Sequence, residues 1–394
     1  MAREAVIVDC ARSAFGKRKG ALAGWHPTDL LGLVLRTLVA RNDIDPARVD
    51  DVVGGCVTQA GEQGCNVTRN AWVAAGLPWS VPATSVDRQC GSSQQAVHFV
   101  AQGVIAGAYD LAIACGVESM TRAPMSSNAR GGVGPFSPDF LANTNNTLGI
   151  QFWVAQVLAD KWGISREEMD AYALQSHRRA VENTDNGFFA GEIVPVPRKD
   201  PESGAPTGDV LAEDEGIRRN ASLDALAALP PAWESAEQPA PDITAGNSSQ
   251  MTDGAAAMLI ADADFAARHG LPVRARFRHF AVAAEDPVLV LSAPVPVTYK
   301  LMERAGMTVD AFDAVECNEA FAAIALMWQK EFDYPMERFN PRGGAIALGH
   351  PLGASGVALM TRLLRQLEAT GGRIGFQTMC EGGGQANATV LERV

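Results

Sequence analysis

The chain predicts an α/β fold, and three observations predict it. Short apolar runs alternate with helical stretches along most of the sequence. Hydrophobic residues fill 47% of the 394 positions and charged residues 20%, enough for two core-forming units or one large composite domain. The third observation is a faint internal repeat. A strand at 51–57 is followed by Cys90 opening a helix, then by a strand ending Ala114-Cys115-Gly116. In the second half a strand at 314–317 is followed by His350 in a glycine-rich turn, then by a strand ending Met379-Cys380-Glu381-Gly382. Two copies of one unit, each unable to bury both faces of its sheet, would pack on each other and set Cys90 and His350 at equivalent positions.

The elements follow in order. Residues 5–8 form a short strand. Residues 29–39 (DLLGLVLRTLV) have the length and apolar face of a helix. Residues 51–57 are strand-like, and 64–75 form a helix stopped by Gly76 and Pro78. A strand at 81–86 leads to Cys90, and 93–106 read as the next helix. Residues 110–114 (DLAIA) form another buried strand. From 123 to 243 the character changes. Residues 125–146 are rich in Gly, Ser, Asn and Pro, and 199–241 are polar and Pro-rich with little strand signal. Between them, 165–180 form a helix whose Ser165 and Glu168 make a capping box. Such a stretch reads as an insertion lying over a scaffold, where binding loops sit. Strand and helix then return: a turn-rich approach and buried strand over 244–260, a strand at 273–283, a strand at 314–317 with a helix beginning at Asn318, and a strand at 373–379.

The net charge of −12 argues against nucleic acid or an anionic membrane as the main partner. Basic spots at 17–19 and at Arg274, Arg276 and Arg278 read as solvated loop and strand faces. The seven cysteines are odd in number, widely spaced and without a C-x-x-C pair, so neither a disulfide framework nor a zinc site is expected. Reduced thiols in the cytoplasm fit best. No apolar run approaches membrane-spanning length, residues 1–8 show no signal-peptide pattern, and LERV at the end is no peroxisomal address.

Polar residues gather at strand-to-helix junctions: Cys90, Asn318, His350, Cys380. Ligands collect at such junctions in α/β sheets. A thiol just ahead of a helix lies near unpaired N–H groups and the positive dipole end, which favour thiolate. By itself Cys90 fits a buried structural thiol equally well. Cys with His is a nucleophile–base pair for acyl transfer, and Asn with backbone N–H groups can hold an oxyanion. A second cysteine suits proton transfer at a carbon. Taken singly, Asn318 reads better as a helix N-cap, His350 as a hydrogen-bonded core residue and Cys380 as a buried strand end. The other histidines (His26, His98, His177, His269, His279) read as structural or exposed. The stretch 343–356 has neither GxGxxG spacing nor a Walker lysine.

Together, VDRQCGSSQQA around Cys90, NEAFA at 318–322, GGAIALGHPLGASG at 343–356 and CEGGG at 380–384 resemble the thiolase family. That family comprises acetyl-CoA acetyltransferases and 3-ketoacyl-CoA thiolases. TAGNSSQMTDGAAA at 244–257, SREEMDAYALQSHRRA and GEIVPV also match family segments, so the likeness runs from near residue 5 to the end. The resemblance implies a five-layered αβαβα sandwich of two similar halves with an inserted loop domain. The boundaries expected are 1–122 plus 244–270 for the first half, 123–243 for the loop domain and 271–394 for the second half. It implies coenzyme A as co-substrate with no tightly bound cofactor, and a homodimer or homotetramer. It matches Cys90 to the acyl-accepting nucleophile, His350 to its base, and Cys380 to the acid/base at the acetyl α-carbon. Asn318 matches the water-holding residue of one oxyanion hole, shared with His350. The N–H groups of Cys90 and Gly382 match the second hole. Arg218 and Ser249 match CoA-contacting positions. In the degradative direction, Cys90 would attack the 3-keto carbon and Cys380 would protonate the departing acetyl-CoA enolate. A second CoA would then take the acyl group from Cys90.

The sequence departs from the short-chain pattern in one place. Where short-chain thiolases carry His-Met-Gly and then Thr-Ala-Glu-Asn, residues 147–154 read TLGIQFWV. The pocket-lining His, Met and Glu are absent. Phe152 and Trp153 point to a reshaped, more apolar acyl pocket, or equally to core packing of one helix. The segment GGCVTQAGEQ, with the Cys90 and Cys380 motifs, looks most like thiolases of bacterial steroid breakdown, so a bulky 3-ketoacyl-CoA is expected. The alternatives are a short-chain acetoacetyl-CoA thiolase running in the condensing direction, a ketoacyl-synthase-like condensing enzyme, and a non-catalytic acyl-CoA carrier of the same fold.

Overall fold

The faint repeat is a structural duplication. The computed structural model describes residues 3–234 and 241–394, so the end of the Pro-rich stretch at 235–240 lies outside the described residues. Nine strands form the main path of one sheet. Their spatial order is Ala314–Cys317, Ile374–Glu381, Gln385–Arg393, Ala275–Ala284, Ala5–Ser13, Thr252–Asp262, Leu111–Ser119, Asp51–Gly55, Ala83–Val86. The two halves join where Ala5–Ser13 meets Ala275–Ala284 through Val6↔Arg276 and Ile7↔Ala275 alone.

On each side of that join the ladder is the same. Asp51–Gly55 lies parallel to Leu111–Ser119, which is antiparallel to Thr252–Asp262, itself antiparallel to Ala5–Ser13. Ala314–Cys317, Ile374–Glu381, Gln385–Arg393 and Ala275–Ala284 repeat the sequence of pairings. Even the irregularities are copied. A bulge falls between Ile7 and Asp9, and another between Phe277 and His279. Asp50 accepts from the N–H groups of Asp110 and Leu111, and Asp313 accepts from those of Arg373 and Ile374. Register depends on burial pattern and backbone pairing, which survive when side-chain identity drifts.

Between the halves lie two helices, Ser92–Ile105 and Leu352–Thr370, so the layers run αβαβα. Ser93 Oγ accepts from Val357 N at 3.1 Å, and Gln377 Nε2 of the second half donates to Gln94 Oε1 of the first at 3.0 Å. Gly356 lets the helices touch, since a Cβ there would sit 2.2 Å from Gln94 N. Pro27–Arg41 and Val67–Ala74 cover the outer face of the first half, and Pro294–Ala305 and Ala322–Phe332 that of the second. On Pro27–Arg41, Leu30, Leu31, Val34, Leu35 and Leu38 are fully buried at helical spacing, each stabilising by about 1.5–3 kcal/mol.

The stretch between the first-half strands holds Pro138–Asn143, Gln151–Lys161 and Arg166–Asp185, the last with the expected capping box. It also holds a two-stranded ribbon, Val196–Lys199 with Pro206–Leu211, where the sequence shows little strand signal. Almost every residue of Pro206–Leu211 is exposed, so no apolar alternation marks it. Arg12, buried in the first strand, clamps this stretch through Glu192 at 2.6 Å and Asp214 at 2.6 and 2.8 Å. The basic residues Arg274, Arg276 and Arg278 pair with Glu368, Glu4 and Glu392, so the expected solvated face is a charge-matched one.

Candidate active site

Cys90 sits on a tight turn that the local sequence enforces. Gln89 takes a positive φ of 48°, rare for a residue with a side chain. Ser92 Oγ accepts from Arg88 N at 3.0 Å and donates to Gln89 O at 2.6 Å, closing the turn across Cys90. Gly91 then caps the helix Ser92–Ile105. Its glycine is required by space: a Cβ would lie 1.9 Å from Glu381 Oε1 and 2.3 Å from Asn387 Oδ1. Backbone N–H groups of Cys90 itself and of Gly382 point at the Cys90 sulfur. Burial pushes the thiol up to about 12 and the Glu381 carboxyl adds to that, while those two N–H groups pull the other way. N–H groups at the helix start thus favour thiolate, as expected, and burial opposes them more strongly.

His350 follows the short helix Ala345–Leu348 and Gly349, whose φ of 109° only glycine adopts readily. Its ring is fixed at both nitrogens. Nδ1 lies 2.6 Å from Ser355 Oγ, and that hydroxyl donates to Pro351 O at 2.8 Å. Ser355 must then accept from Nδ1–H, which leaves Nε2 unprotonated and accepting from Asn318 Nδ2 at 3.3 Å. Burial lowers the ring to about 4, so His350 is neutral at pH 7 and Nε2 is a base.

Asn318 is no helix cap. The helix Ala322–Phe332 is capped by Phe321, itself extended, and 318–320 form an irregular loop between strand and helix. Asn318 N donates to Thr378 O at 3.1 Å, Ser249 N to Ala320 O at 2.9 Å and Ala322 N to Asn247 O at 2.8 Å. The neighbouring segment 247–249 competes successfully for the groups a helix would use. Asn318 Oδ1 is buried with no partner, where a water could donate. Beside it, Glu319 accepts from Tyr172 Oη at 2.9 Å, Ser176 Oγ at 2.7 Å and Ile346 N at 3.1 Å. One carboxylate thus ties the Asn318 loop to the inserted helix and to the turn before His350.

Cys380 ends its strand fully buried, and burial pushes its thiol well above the usual value, reinforced by Cys90, Cys317 and Glu381. Leu352, two residues past His350, and Met379, beside Cys380, pack around Cys90 with Val57 and Met120. Cys90, His350, Asn318, Cys380 and Gly382 are thus gathered in one place. Ser249 joins them at the rim through Ala320. Arg218 does not join them. Its side chain is exposed, in a groove lined by Leu174, His177 and Arg178, and its N–H donates to His177 Nδ1 at 3.2 Å. A second link reaches that segment: Gln250 Nε2 donates to Gly216 O at 2.9 Å, and Gln250 O accepts from His350 N at 3.3 Å.

Sequence reasoning missed Ser355 and Glu381. Ser355 stands five residues past His350, beyond one helical turn, and nothing in HPLGAS marks it. Glu381 stood only as a member of the strand end and the CEGGG motif, with no role of its own. Phe152 is half-buried and meets Phe321 edge-on, ring centres 5.5 Å apart, three residues from Asn318, while Trp153 packs half-buried on the second-half core. Among the described residues no group of three metal-binding side chains converges, and no helix is long and apolar enough to cross a membrane.

Comparison with known proteins gives a consistent picture. Residues 5–264 match the family model described as Thiolase, N-terminal domain, and residues 271–393 that described as Thiolase, C-terminal domain. The chain is 46% identical over 398 residues to a steroid 3-ketoacyl-CoA thiolase of Mycobacterium tuberculosis, covering 99% of this chain and 94% of that protein. It is 41% identical over 396 residues to a 3-ketoacyl-CoA thiolase of Aliivibrio fischeri, covering 99% and 100%. The crystal structure of the Bacillus anthracis acetyl-CoA acetyltransferase superposes with a TM-score of 0.89 at 30% identity, covering 100% of this chain and 99% of that one.

Proposed function

The chain belongs to the thiolase family and is an acyltransferase that cleaves a 3-ketoacyl-CoA to acetyl-CoA; from that premise we propose the roles of its residues and the class of its substrate. Cys90 carries the acyl group. Neutral His350 takes the Cys90 proton through Nε2, and the thiolate attacks the 3-keto carbon. Asn318 and His350 hold one developing oxyanion, and the N–H groups of Cys90 and Gly382 hold the other. The C–C bond breaks toward the acetyl-CoA carbon, which Cys380 protonates. Cys380 then helps deprotonate the second CoA, whose thiolate takes the acyl group from Cys90. The observation that carries this reading is the tautomer of His350, with Ser355 on Nδ1 and an unprotonated Nε2 beside Asn318 Nδ2. Coenzyme A is substrate. Ser249 at the rim fits its approach, and Arg218 fits its phosphates only in the outer groove.

The acyl group we propose is bulky or steroid-derived. Phe152 against Phe321 makes an apolar wall near Asn318, and the relative from M. tuberculosis bears a steroid name. Residues 123–243 act as the loop domain carrying that wall. The protein works in the cytoplasm, which seven free cysteines suit, as a homodimer or homotetramer. Support for self-association is the open edge strand Ala83–Val86 beside Trp79, which is 80% exposed. The test is CoA-dependent cleavage across 3-ketoacyl-CoAs of varied chain length and ring content. Ring-bearing substrates should give the higher kcat/KM, and clear preference for acetoacetyl-CoA rejects the substrate class. Cys90→Ala should abolish turnover on every substrate; retained thiolysis rejects the nucleophile.

A further inference from the structure

The duplication puts a buried glutamate at the same place in each half. Asp50 and Asp313 hold the first residues of equivalent strands, Leu111 and Ile374, and seven residues further on stand Glu118 and Glu381. Both are fully buried. Their surroundings differ completely. Glu118 accepts from Val57 N at 2.9 Å, Thr58 N at 3.0 Å, Gln63 Nε2 at 2.9 Å and Gly353 N at 2.9 Å. Burial still raises its pKa and those donors oppose the rise, and one of them is the first turn of the helix after His350. Glu381 faces the corresponding place before the helix that follows Cys90; neither of its oxygens has a hydrogen bond of good geometry, and the backbone N–H of Asn387 is its one nearby main-chain donor.

What Glu381 meets is another acceptor. Its Oε1 and the Oδ1 of Asn387 both crowd the point a Gly91 Cβ would occupy, and Asn387 Oδ1 also lacks a partner. Asn387 Nδ2 is turned away, toward Gln95 Oε1 at 3.3 Å. Two buried acceptors thus crowd one point, each without a hydrogen-bond partner. A proton on Glu381 satisfies both, with the carboxylic O–H donating to the amide oxygen.

We propose that Glu381 is a positioning residue that works protonated, and that its ionisation withdraws the thiolate from both Cys90 and Cys380 and so sets the alkaline limit of the reaction. The charged and titratable groups around it are few. Arg88, from the turn before Cys90, and after it the backbone N–H of Asn387 favour the ionised form, and Arg88 Nε has no partner. Cys90 and Cys380 each bear the electrostatic cost of a charged Glu381, and Glu118 adds a smaller effect at Cys90. Gln385, Gln95 and Asn387 on the flanking elements carry no charge. Burial raises Glu381 to about 8. Below that pH the carboxyl is neutral and a transient thiolate has no anion beside it. Above it an anion appears next to both sulfurs.

This inference rests on Cys90 as the nucleophile, and the experiment separates the two. Turnover at pH 7 that Cys90→Ala abolishes tests the nucleophile; the shape of the alkaline limb tests Glu381. Wild-type kcat/KM should fall roughly tenfold per pH unit above about 8. Glu381→Gln, neutral at every pH, should keep activity at pH 7 and move that limb up by roughly a unit or more. The rate at which iodoacetamide alkylates Cys90 should lose the same inflection. Arg88→Gln leaves Glu381 in place without its nearby cation and should also move the limb upward; it decides the matter if Glu381→Gln fails to fold. A Glu381→Gln profile superimposed on the wild type overturns the proposal. So does a uniform loss at all pH values in a folded variant, which marks a structural role. With the Asn387 and Gln95 amides reversed, Glu381 gains a donor and stays ionised; an alkylation profile without an inflection in the wild type would show that arrangement and overturn the proposal.

Discussion

At the scale of single residues, the candidate site depends on groups that fix protonation as much as on those that react. Ser355 is the clearest. Its hydroxyl spends its hydrogen on Pro351 O, which obliges His350 to keep its own on Nδ1. Ser355→Ala removes that constraint and leaves a buried N–H without an acceptor. We expect kcat/KM to fall by at least roughly tenfold with little change in KM, because a base that samples the wrong tautomer loses transition-state stabilisation. Steady-state kinetics on the best substrate check this, and an unchanged kcat would show that another contact sets the tautomer. The resting thiols make the same point from the other side. Cys90 is pushed up to about 12 by burial, so the neutral, buried His350 must take its proton during the reaction rather than before it.

At the scale of elements, the two central helices begin at the reacting residues, and both starts are shaped by close approach. The first turn of Leu352–Thr370 lies on Gly55 and Gly116. A Cβ at Gly116 would meet Gly353 O at 2.1 Å, and one at Gly55 would meet Ser93 N at 2.3 Å. At the other helix Gly91 yields its side-chain space to Glu381 and Asn387. Its φ of −86° is ordinary, so the demand is for room and not for an unusual backbone. Gly91→Ala should therefore destabilise the fold by about 1–3 kcal/mol through overpacking and displace Cys90 from the Gly382 N–H. Thermal melting and single-turnover acylation measure the two effects. A variant with wild-type melting and acylation would mean that the 379–387 hairpin yields without cost.

At the scale of the whole molecule, three histidines are buried uncharged: His98 near 3, His177 near 4 and His350 near 4, each lowered chiefly by burial. In the unfolded chain each titrates near the ordinary value of about 6.5. The folded state thus binds fewer protons below that pH. Stability from these groups is complete above about 6.5 and is lost as pH falls toward 4 and 3, at up to about 1.4 kcal/mol per pH unit for each group. Melting temperature should decline on the acid side over that window, and His98→Asn, which gives up the Thr389 contact and the edge-on packing against Phe280, should make the decline shallower. An unaltered acid slope in that variant would assign the decline to carboxylates. The sequence by itself determined the class of fold, the repeat, and the junctions bearing Cys90, Asn318, His350 and Cys380. Alternating periodicity and glycine punctuation are local properties, and the site motifs stand at strand-to-helix turns. Only the tertiary structure decided what each side chain faces. Asn318 read alone as a cap, and it lies in a loop before the helix because 247–249 bind its neighbours. Arg218 matched a CoA-contacting position, and it stands outside the cluster on an exposed groove. Ser355 and Glu381 had no local signal, because what matters about them is a partner gained in one case and a partner missing in the other. Ser355 meets His350 and Pro351 only five and four residues away, and Asn387 is only six residues from Glu381, yet sequence order does not say which way a side chain turns or which atoms it is left to face.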